Sequence, residues 1–137
     1  MTGVAQQSFK IEISSRPENI TLVEQFVDDL KESLQISDDL YGHLLICLTE
    51  AVNNSIIHGN QSDSSKKVLI SASKEDGRLS FVVKDEGNGF DYNSLPDPTD
   101  PANLHKLTGR GVFLMKQLSD LLIFSQGGSQ VEMQFKA

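Results

Sequence analysis

The sequence predicts a small domain of the α+β class, in which strands and helices occupy separate stretches of the chain. Near its start, Phe9, Ile11 and Ile13 alternate with polar residues, which is the period-two pattern of a half-buried strand. Two stretches with helical spacing follow, and the apolar runs after them are separated by glycine-containing turns that indicate β-hairpins. The predicted order is therefore strand, two helices, hairpin, helix and hairpin.

Length and composition limit the possible functions. A chain of 137 residues with 38% hydrophobic residues suits one domain with one core. The formal net charge is −7 and no run of Lys or Arg forms a basic stripe, so direct binding of DNA or RNA is not expected. The single cysteine, Cys47, and the lack of a signal-like apolar run suggest a cytoplasmic protein. No apolar stretch approaches the roughly 20 residues that cross a bilayer, which argues against membrane insertion.

Two helices are predicted after the first strand. The first begins near Ser15, where a capping-box spacing and a proline precede apolar residues at helical intervals. The second covers residues 40–58, with a cap and acidic residues at 37–39 and a stop at Gly59. This second helix is apolar nearly all round, a pattern that is typical of a buried helix.

Two hairpins and an irregular segment complete the pattern. Residues 68–83 indicate a hairpin that turns near Gly77, and another hairpin closes the chain around residues 127–128. From 91 to 108 the periodicity is lost and three of the four prolines occur there, which is more typical of a functional flap than of a connector. Helical spacing returns at residues 112–121.

Glu50 and Asn54 are four residues apart and therefore lie on one face of the second predicted helix. In so apolar a helix both side chains need partners, because an unpaired buried polar group costs on the order of a few kcal/mol. One interpretation is a structural pair that bonds to local backbone. The functional interpretation makes Asn54 a ligand of Mg²⁺ and Glu50 a base near phosphates. Asn53 lies on nearly the same face and is a rival for the metal.

Asp85 ends a predicted strand and leads into Gly87 and Gly89. Glycines let the backbone approach a flat ligand, and a carboxylate can accept a hydrogen bond from an exocyclic amine such as that of adenine. An ordinary acidic turn is the competing interpretation, because short glycine motifs often occur by chance.

A second glycine turn, formed by Gly109, Arg110 and Gly111, precedes the last predicted helix. Free N–H groups at a helix N-terminus suit phosphate, and the arginine can add charge to a phosphoryl group. A capped helix with a surface arginine is the competing interpretation. The sequence contains neither the P-loop motif nor the glycine motif of dinucleotide-binding folds.

These three segments, in this order and spacing, resemble the GHKL (histidine kinase/gyrase-type) superfamily of ATPases, and within it the branch of anti-sigma factor serine-protein kinases. The N box of that branch is similar to residues 50–60, EAVNNSIIHGN. Its two glycine boxes are similar to residues 83–90, VKDEGNGF, and residues 109–115, GRGVFLM. Each motif is weak alone, but the three together are specific, and the resemblance covers nearly the whole chain.

The resemblance implies a Bergerat-type ATP-binding fold, which is a two-layer α/β (α+β) sandwich. About three helices would cover one face of a mixed, mostly antiparallel sheet, in one kinase-like domain over residues 1–137. A flexible ATP lid would lie at about 91–108. Glu50 would act as the general base, Asn54 would hold Mg²⁺, and Asp85 would bind the adenine amine.

The remaining implied site residues surround the nucleotide. Gly87 and Gly89 would shape the adenine pocket, while Gly109, Arg110 and Gly111 would lie at the triphosphate. The family usually has a threonine after a glycine just before its last strand. Ser129 occupies that place here and keeps the hydroxyl, so it is counted in the adenine pocket.

The function implied by the resemblance is an ATP- and Mg²⁺-dependent serine-protein kinase. It would phosphorylate an antagonist (anti-anti-sigma) protein, sequester a sigma factor and form a homodimer. An ATP-dependent regulatory binding module without kinase activity is the alternative. The presence of Glu50 favours the kinase, because a pure binding module does not need a base. A detached histidine-kinase catalytic domain is less favoured, because such domains depend on a partner helix.

Overall fold

Residues 7–87 and 110–137 are described by a computed structural model, and within them lie five strands and three α-helices. The strands are β1 (Gln7–Ser14), β2 (Lys67–Glu75), β3 (Arg78–Asp85), β4 (Leu121–Ser125) and β5 (Gln130–Lys136). The helices are α1 (Ile20–Ser33), α2 (Asp38–Asn54) and α3 (Arg110–Leu118). Their order along the chain matches the predicted order of elements.

The strands form one sheet in the order β1-β2-β3-β5-β4. All described neighbours pair antiparallel, where the expected sheet was mixed and mostly antiparallel. Two of these pairs are hairpins, and a short hairpin loop can join only antiparallel strands. At the β2–β3 turn, Asp76 and Gly77 have φ angles of 53° and 73°, which are the positive values that a tight hairpin turn requires.

One face of the sheet carries the core and packs against all three helices. Buried and partly exposed positions alternate along the strands, as expected for a sheet with one covered face. The predicted two-layer sandwich is therefore confirmed. The strand residues of this core are Val68, Ile70, Ala72, Leu79, Phe81, Val83, Val131, Met133 and Phe135, and the helix residues include Val23, Val27, Leu44, Leu48, Val112 and Met115.

The entry to α1 differs from the predicted capping box. A short 3₁₀ turn, Pro17–Asn19, leads into α1, and no side chain caps either element. The hydroxyl of Ser15 instead donates a hydrogen bond to the carbonyl oxygen of Lys66, at 2.8 Å. The predicted capping role of Ser15 was wrong because this long-range bond ties the end of β1 to the start of β2.

The start of α2 is capped as predicted, but the helix is followed by a wider helical turn that was not predicted. The Ser37 hydroxyl oxygen accepts a hydrogen bond from the Leu40 N–H at 3.2 Å. After Asn54 the chain continues as a π-helical turn, Ser55–Gly59. The N–H of Asn60 donates to the Ser55 carbonyl oxygen at 2.8 Å, which gives the i→i−5 bond of such a turn. Turns of this kind are rare and occur often at functional sites.

The expectation that α2 is buried all round was wrong. Ile46 on α2 is 43% exposed, and Ile57 in the turn that follows is 48% exposed. The apolar residues of α2 that do face the core are Leu44, Cys47, Leu48, Ala51 and Val52. Across residues 7–87 and 110–137, no helix has both the length and the apolar character needed to cross a membrane.

Gly42 gives a test of helix stability on the exposed side of α2. A Cβ added to Gly42 would meet nothing within 4 Å. Because glycine in a helix interior costs about 1 kcal/mol relative to alanine, we expect Gly42→Ala to raise the free energy of unfolding by about 1 kcal/mol. Urea denaturation followed by circular dichroism measures this change. A lower free energy of unfolding in the variant would show that this face of α2 is not open.

Candidate functional site

The carboxylate of Glu50 lies against the first turn of α3. A Cβ added to Gly111 would be 2.5 Å from Oε2 of Glu50 and 3.3 Å from its Cδ. Such distances are too short for a real side chain, so α3 can begin this close to Glu50 only because residue 111 is glycine. The structure therefore brings together Glu50 and Gly111, which come from two of the three predicted motifs.

Asp85 places a second carboxylate inside the protein at the end of β3. Asp85 is only 5% exposed, and its Oδ1 accepts a hydrogen bond from the Gly87 N–H at 2.8 Å. Burial raises the pKa of Asp85, and this effect outweighs the opposing hydrogen bonds from Gly87 and Ser55. Two carboxylate oxygens offer about four acceptor positions, so the group can still accept a bond from a ligand amine.

Gly59 and Gly87 meet beside the carboxylate of Asp85. A Cβ on Gly59 would overlap the carboxylate of Asp85, and a Cβ on Gly87 would overlap the carbonyl group of Gly59. The sequence analysis assigned Gly59 only the role of ending a helix. Its second role, which is to allow the close approach of two backbone segments, has no signature in periodicity.

Ser129 lies beside Asp85 through the backbone. Its carbonyl oxygen accepts a hydrogen bond from the Asp85 N–H at 2.9 Å, and the residue is 7% exposed. The Ser129 hydroxyl donates to the Gln126 carbonyl oxygen at 3.0 Å. The hydroxyl oxygen therefore keeps its acceptor capacity, and the backbone bond to Asp85 agrees with the expected place of Ser129 in the adenine pocket.

The residues considered for Mg²⁺ lie at the end of α2. Asn53 and Asn54 are both half-buried, so exposure does not decide between them. Asn54 lies one helical turn beyond Glu50, and amide and carboxylate oxygens are hard donors that suit Mg²⁺ together with phosphate oxygens. The residues at this place therefore fit a magnesium ion that is held mainly by a nucleotide.

Cys47 lies one turn before Glu50 and is fully buried. Burial and the nearby charge of Glu50 raise the pKa of the Cys47 thiol to about 11. The thiol therefore stays protonated at neutral pH, which suits a side chain packed in the core and disfavours a nucleophilic role.

Several predicted positions lie outside the described residues. These are Gly89, Gly109 and the expected lid at 91–108. Arg110 is the first residue of α3, but only its backbone belongs to the described part. The predicted triphosphate contacts of Gly109 and Arg110 and the predicted adenine contact of Gly89 therefore stay predictions.

A separate depression of about 610 Å³ lies on the uncovered face of the sheet. The Ser80 hydroxyl and the Gln134 amide both donate to Glu132 there, at 2.8 and 3.0 Å. None of the predicted site residues lines it. The lining residues are Ser73, Glu75, Asp76, Arg78, Ser80, Glu132 and Gln134.

Comparison with known proteins places this arrangement in a family. Residues 13–135 match the family described as "Histidine kinase-like ATPase domain". The chain is 31% identical over 116 residues to an anti-sigma F factor of Geobacillus stearothermophilus, covering 82% of this chain and 79% of the relative. It is 25% identical over 117 residues to the serine-protein kinase RsbW of Bacillus subtilis, covering 81% and 73% respectively.

A solved structure agrees on the fold. The crystal structure of the RsbU and RsbW domains of a Mycobacterium tuberculosis protein matches with a TM-score of 0.70 over 95% of this chain, at 13% sequence identity. This chain spans 32% of that longer one, so the likeness concerns the fold alone. The family match covers most of the sequence, and the relatives are covered over most of their length. The chain therefore belongs to the histidine kinase-like (GHKL) ATPase family, in its branch of anti-sigma factor serine-protein kinases.

Proposed function

We propose that this chain is an ATP- and Mg²⁺-dependent serine-protein kinase of the anti-sigma type. It would phosphorylate a serine of an antagonist protein and bind a sigma factor. The observation that carries the proposal is the position of the Glu50 carboxylate against the first turn of α3. A helix N-terminus favours phosphate, so this position puts a base where a phosphoryl group would be held. The names of the relatives, anti-sigma F factor and serine-protein kinase RsbW, support the same reaction and partners.

The adenine end of the nucleotide would lie at Asp85. Its buried carboxylate would accept a hydrogen bond from the exocyclic amine of adenine. The close backbone approach of Gly59 and Gly87 leaves no side chain between these two segments. Ser129, just before β5, would complete this pocket, and Gly87 and Gly89 would shape it.

The phosphate end would lie between α2 and α3. Glu50 would accept the proton of the attacking serine hydroxyl while the serine oxygen bonds to the γ-phosphorus and the bond to the ADP oxygen breaks. Asn54 would hold Mg²⁺, which when bound neutralises charge on the phosphate oxygens. Gly109, Arg110 and Gly111 would present N–H groups and positive charge to the triphosphate.

The proposal extends to the organisation of the protein. Residues 1–137 would form one domain that acts as a cytoplasmic homodimer. Residues 91–108 would cover the bound nucleotide. The half-buried Glu50 favours a kinase over a binding module, because a module that only binds ATP does not need a base at that place.

A transfer experiment tests the proposed reaction. Immobilised chain is incubated with a lysate of the source organism, γ-labelled ATP and Mg²⁺, and phosphoserines are mapped on the retained proteins. We expect label on one serine of a retained protein, and no label when EDTA removes the metal. A chain that binds ATP and retains partners but transfers no label would support the binding module instead.

A further inference from the structure

We propose that Asn60 is the positioning residue for the adenine end of the site, because it fixes the peptide group that follows Asp85. This inference rests on the proposed ATP function and adds to it a residue that the sequence motifs left without a role. Asn60 would act through Asp85 and would not touch the nucleotide itself.

The side chain of Asn60 is completely buried and makes three hydrogen bonds. The residue is 0% exposed. Its Nδ2 donates to the Ser15 hydroxyl oxygen at 2.8 Å and to the Lys67 carbonyl oxygen at 3.0 Å. Its Oδ1 accepts a hydrogen bond from the Glu86 N–H at 2.9 Å. One amide group thus connects the end of β1, the start of β2 and the turn after β3.

The bond to Glu86 acts directly on Asp85. The Glu86 N–H belongs to the peptide group that joins Asp85 to Glu86, so holding it fixes the backbone torsion next to the Asp85 carboxylate. The peptide group on the other side of Asp85 is held by the bond from its N–H to Ser129, at 2.9 Å. Both peptide groups that flank the carboxylate are therefore anchored, one to Ser129 and the other to Asn60.

The backbone of Asn60 is itself held in place. Its N–H donates to the Ser55 carbonyl oxygen across the π-helical turn, at 2.8 Å. The preceding residue, Gly59, packs so closely that a Cβ would overlap the Asp85 carboxylate. Gly59 therefore provides the close approach, and Asn60 provides the hydrogen bond that sets the orientation of the turn.

This orientation matters most for the choice of base. Adenine presents an amine to the carboxylate of Asp85, whereas guanine presents a carbonyl oxygen at the same position, which a carboxylate repels. A fixed carboxylate discriminates strongly between the two bases, and a carboxylate that can swing discriminates less. The preference for ATP over GTP is therefore a measure of positioning that overall stability does not report.

Calorimetric titration with ATP and with GTP, in the presence of Mg²⁺, tests this inference. A tenfold change in affinity corresponds to about 1.4 kcal/mol, which is the size of effect expected when one buried hydrogen bond is lost. We expect Asn60→Ala to weaken ATP binding about tenfold while GTP binding changes little, so that the preference for ATP falls about tenfold. Circular dichroism verifies that the variant is folded.

Ser15→Ala is the matched control. This substitution removes the partner on the opposite side of the Asn60 amide and leaves the bond from Glu86 to Asn60 in place. We expect a lower free energy of unfolding and an unchanged preference for ATP. An equal loss of preference in Ser15→Ala would overturn the positioning role, because the effect would then follow stability alone.

The remaining outcomes separate this inference from the proposed function. If the wild-type chain binds neither nucleotide, both are overturned. If it prefers ATP and Asn60→Ala keeps the same preference, only the positioning role is overturned. If Asn60→Ala does not fold, Asn60→Ser replaces it, since its shorter side chain gives up the bond from Glu86 but keeps a polar group at the site, and the same loss of preference is expected. Amide exchange of the wild-type Glu86 N–H needs no variant, and exchange as fast as that of a free amide would overturn the inference.

Discussion

Asp85→Asn is expected to abolish most ATP binding without unfolding the protein. The substituted amide can rotate its oxygen toward only one partner, and Gly87 already donates to that side chain. A hydrogen bond to a charged group is worth about 1.5 to 3 kcal/mol, so the affinity for ATP should fall on the order of 100-fold. Calorimetric titration with ATP and Mg²⁺ measures this loss.

The same substitution should leave the stability unchanged or raise it. Burial raises the pKa of Asp85 above its ordinary value of 3.8, so the folded state binds a proton more tightly than the unfolded state does. The stability that this group contributes is therefore fully present at a pH below its ordinary pKa. It is lost as the pH rises through the raised pKa of the folded state. Because asparagine does not ionise, Asp85→Asn should not show this fall in the free energy of unfolding. Urea denaturation of both proteins at acid and at neutral pH measures the difference.

Asp76→Asn provides the control for both measurements. Asp76 is exposed in the β2–β3 turn and has a positive φ that asparagine tolerates well. The Asp76→Asn substitution should change neither the affinity for ATP nor the pH dependence of the free energy of unfolding. An Asp85→Asn variant that binds ATP as tightly as the wild type would refute the adenine assignment.

Glu50→Gln is expected to separate nucleotide binding from phosphoryl transfer. The amide has nearly the shape of the carboxylate and keeps the packing against Gly111, but it cannot take up a proton. General base catalysis contributes typically 10²- to 10⁴-fold, so the rate of transfer should fall by about that factor. The affinity for ATP and Mg²⁺ should stay close to that of the wild type.

Single-turnover transfer and calorimetric titration measure these two quantities on the same sample. Glu24→Gln, on the exposed side of α1, changes the net charge by the same amount and should leave both unchanged. A Glu50→Gln variant that transfers phosphate at the wild-type rate would exclude Glu50 as the base and would favour a role in packing against α3.

The elements of the fold follow from local patterns in the sequence. The β2–β3 hairpin was predictable because Asp and Gly are the residues that adopt its two positive φ angles. The cap of α2 at Ser37 was predictable for a similar local reason. Ser15 was mispredicted because its partner, Lys66, lies 51 residues away, and no local pattern records a contact at that distance.

The candidate site was predictable as a set of motifs and not as a geometry. The three motifs together indicated Glu50, Asp85 and the glycines, because their order and spacing are specific although each motif is weak alone. They gave no sign that Asn60 bonds to Glu86, 26 residues further along the chain. They also gave no sign of the π-helical turn, which places Gly59 against the Asp85 carboxylate.

Because of the widened turn at Ser55–Gly59, the site requires a fixed number of residues in this segment. Each residue advances an α-helix by about 100° of rotation, so deleting one residue here would turn all that follows to a different side. Asn54 would keep its place relative to Glu50, whereas Asn60 would no longer point at Glu86. The number of residues between the proposed metal ligand and the buried amide is therefore as constrained as their identity.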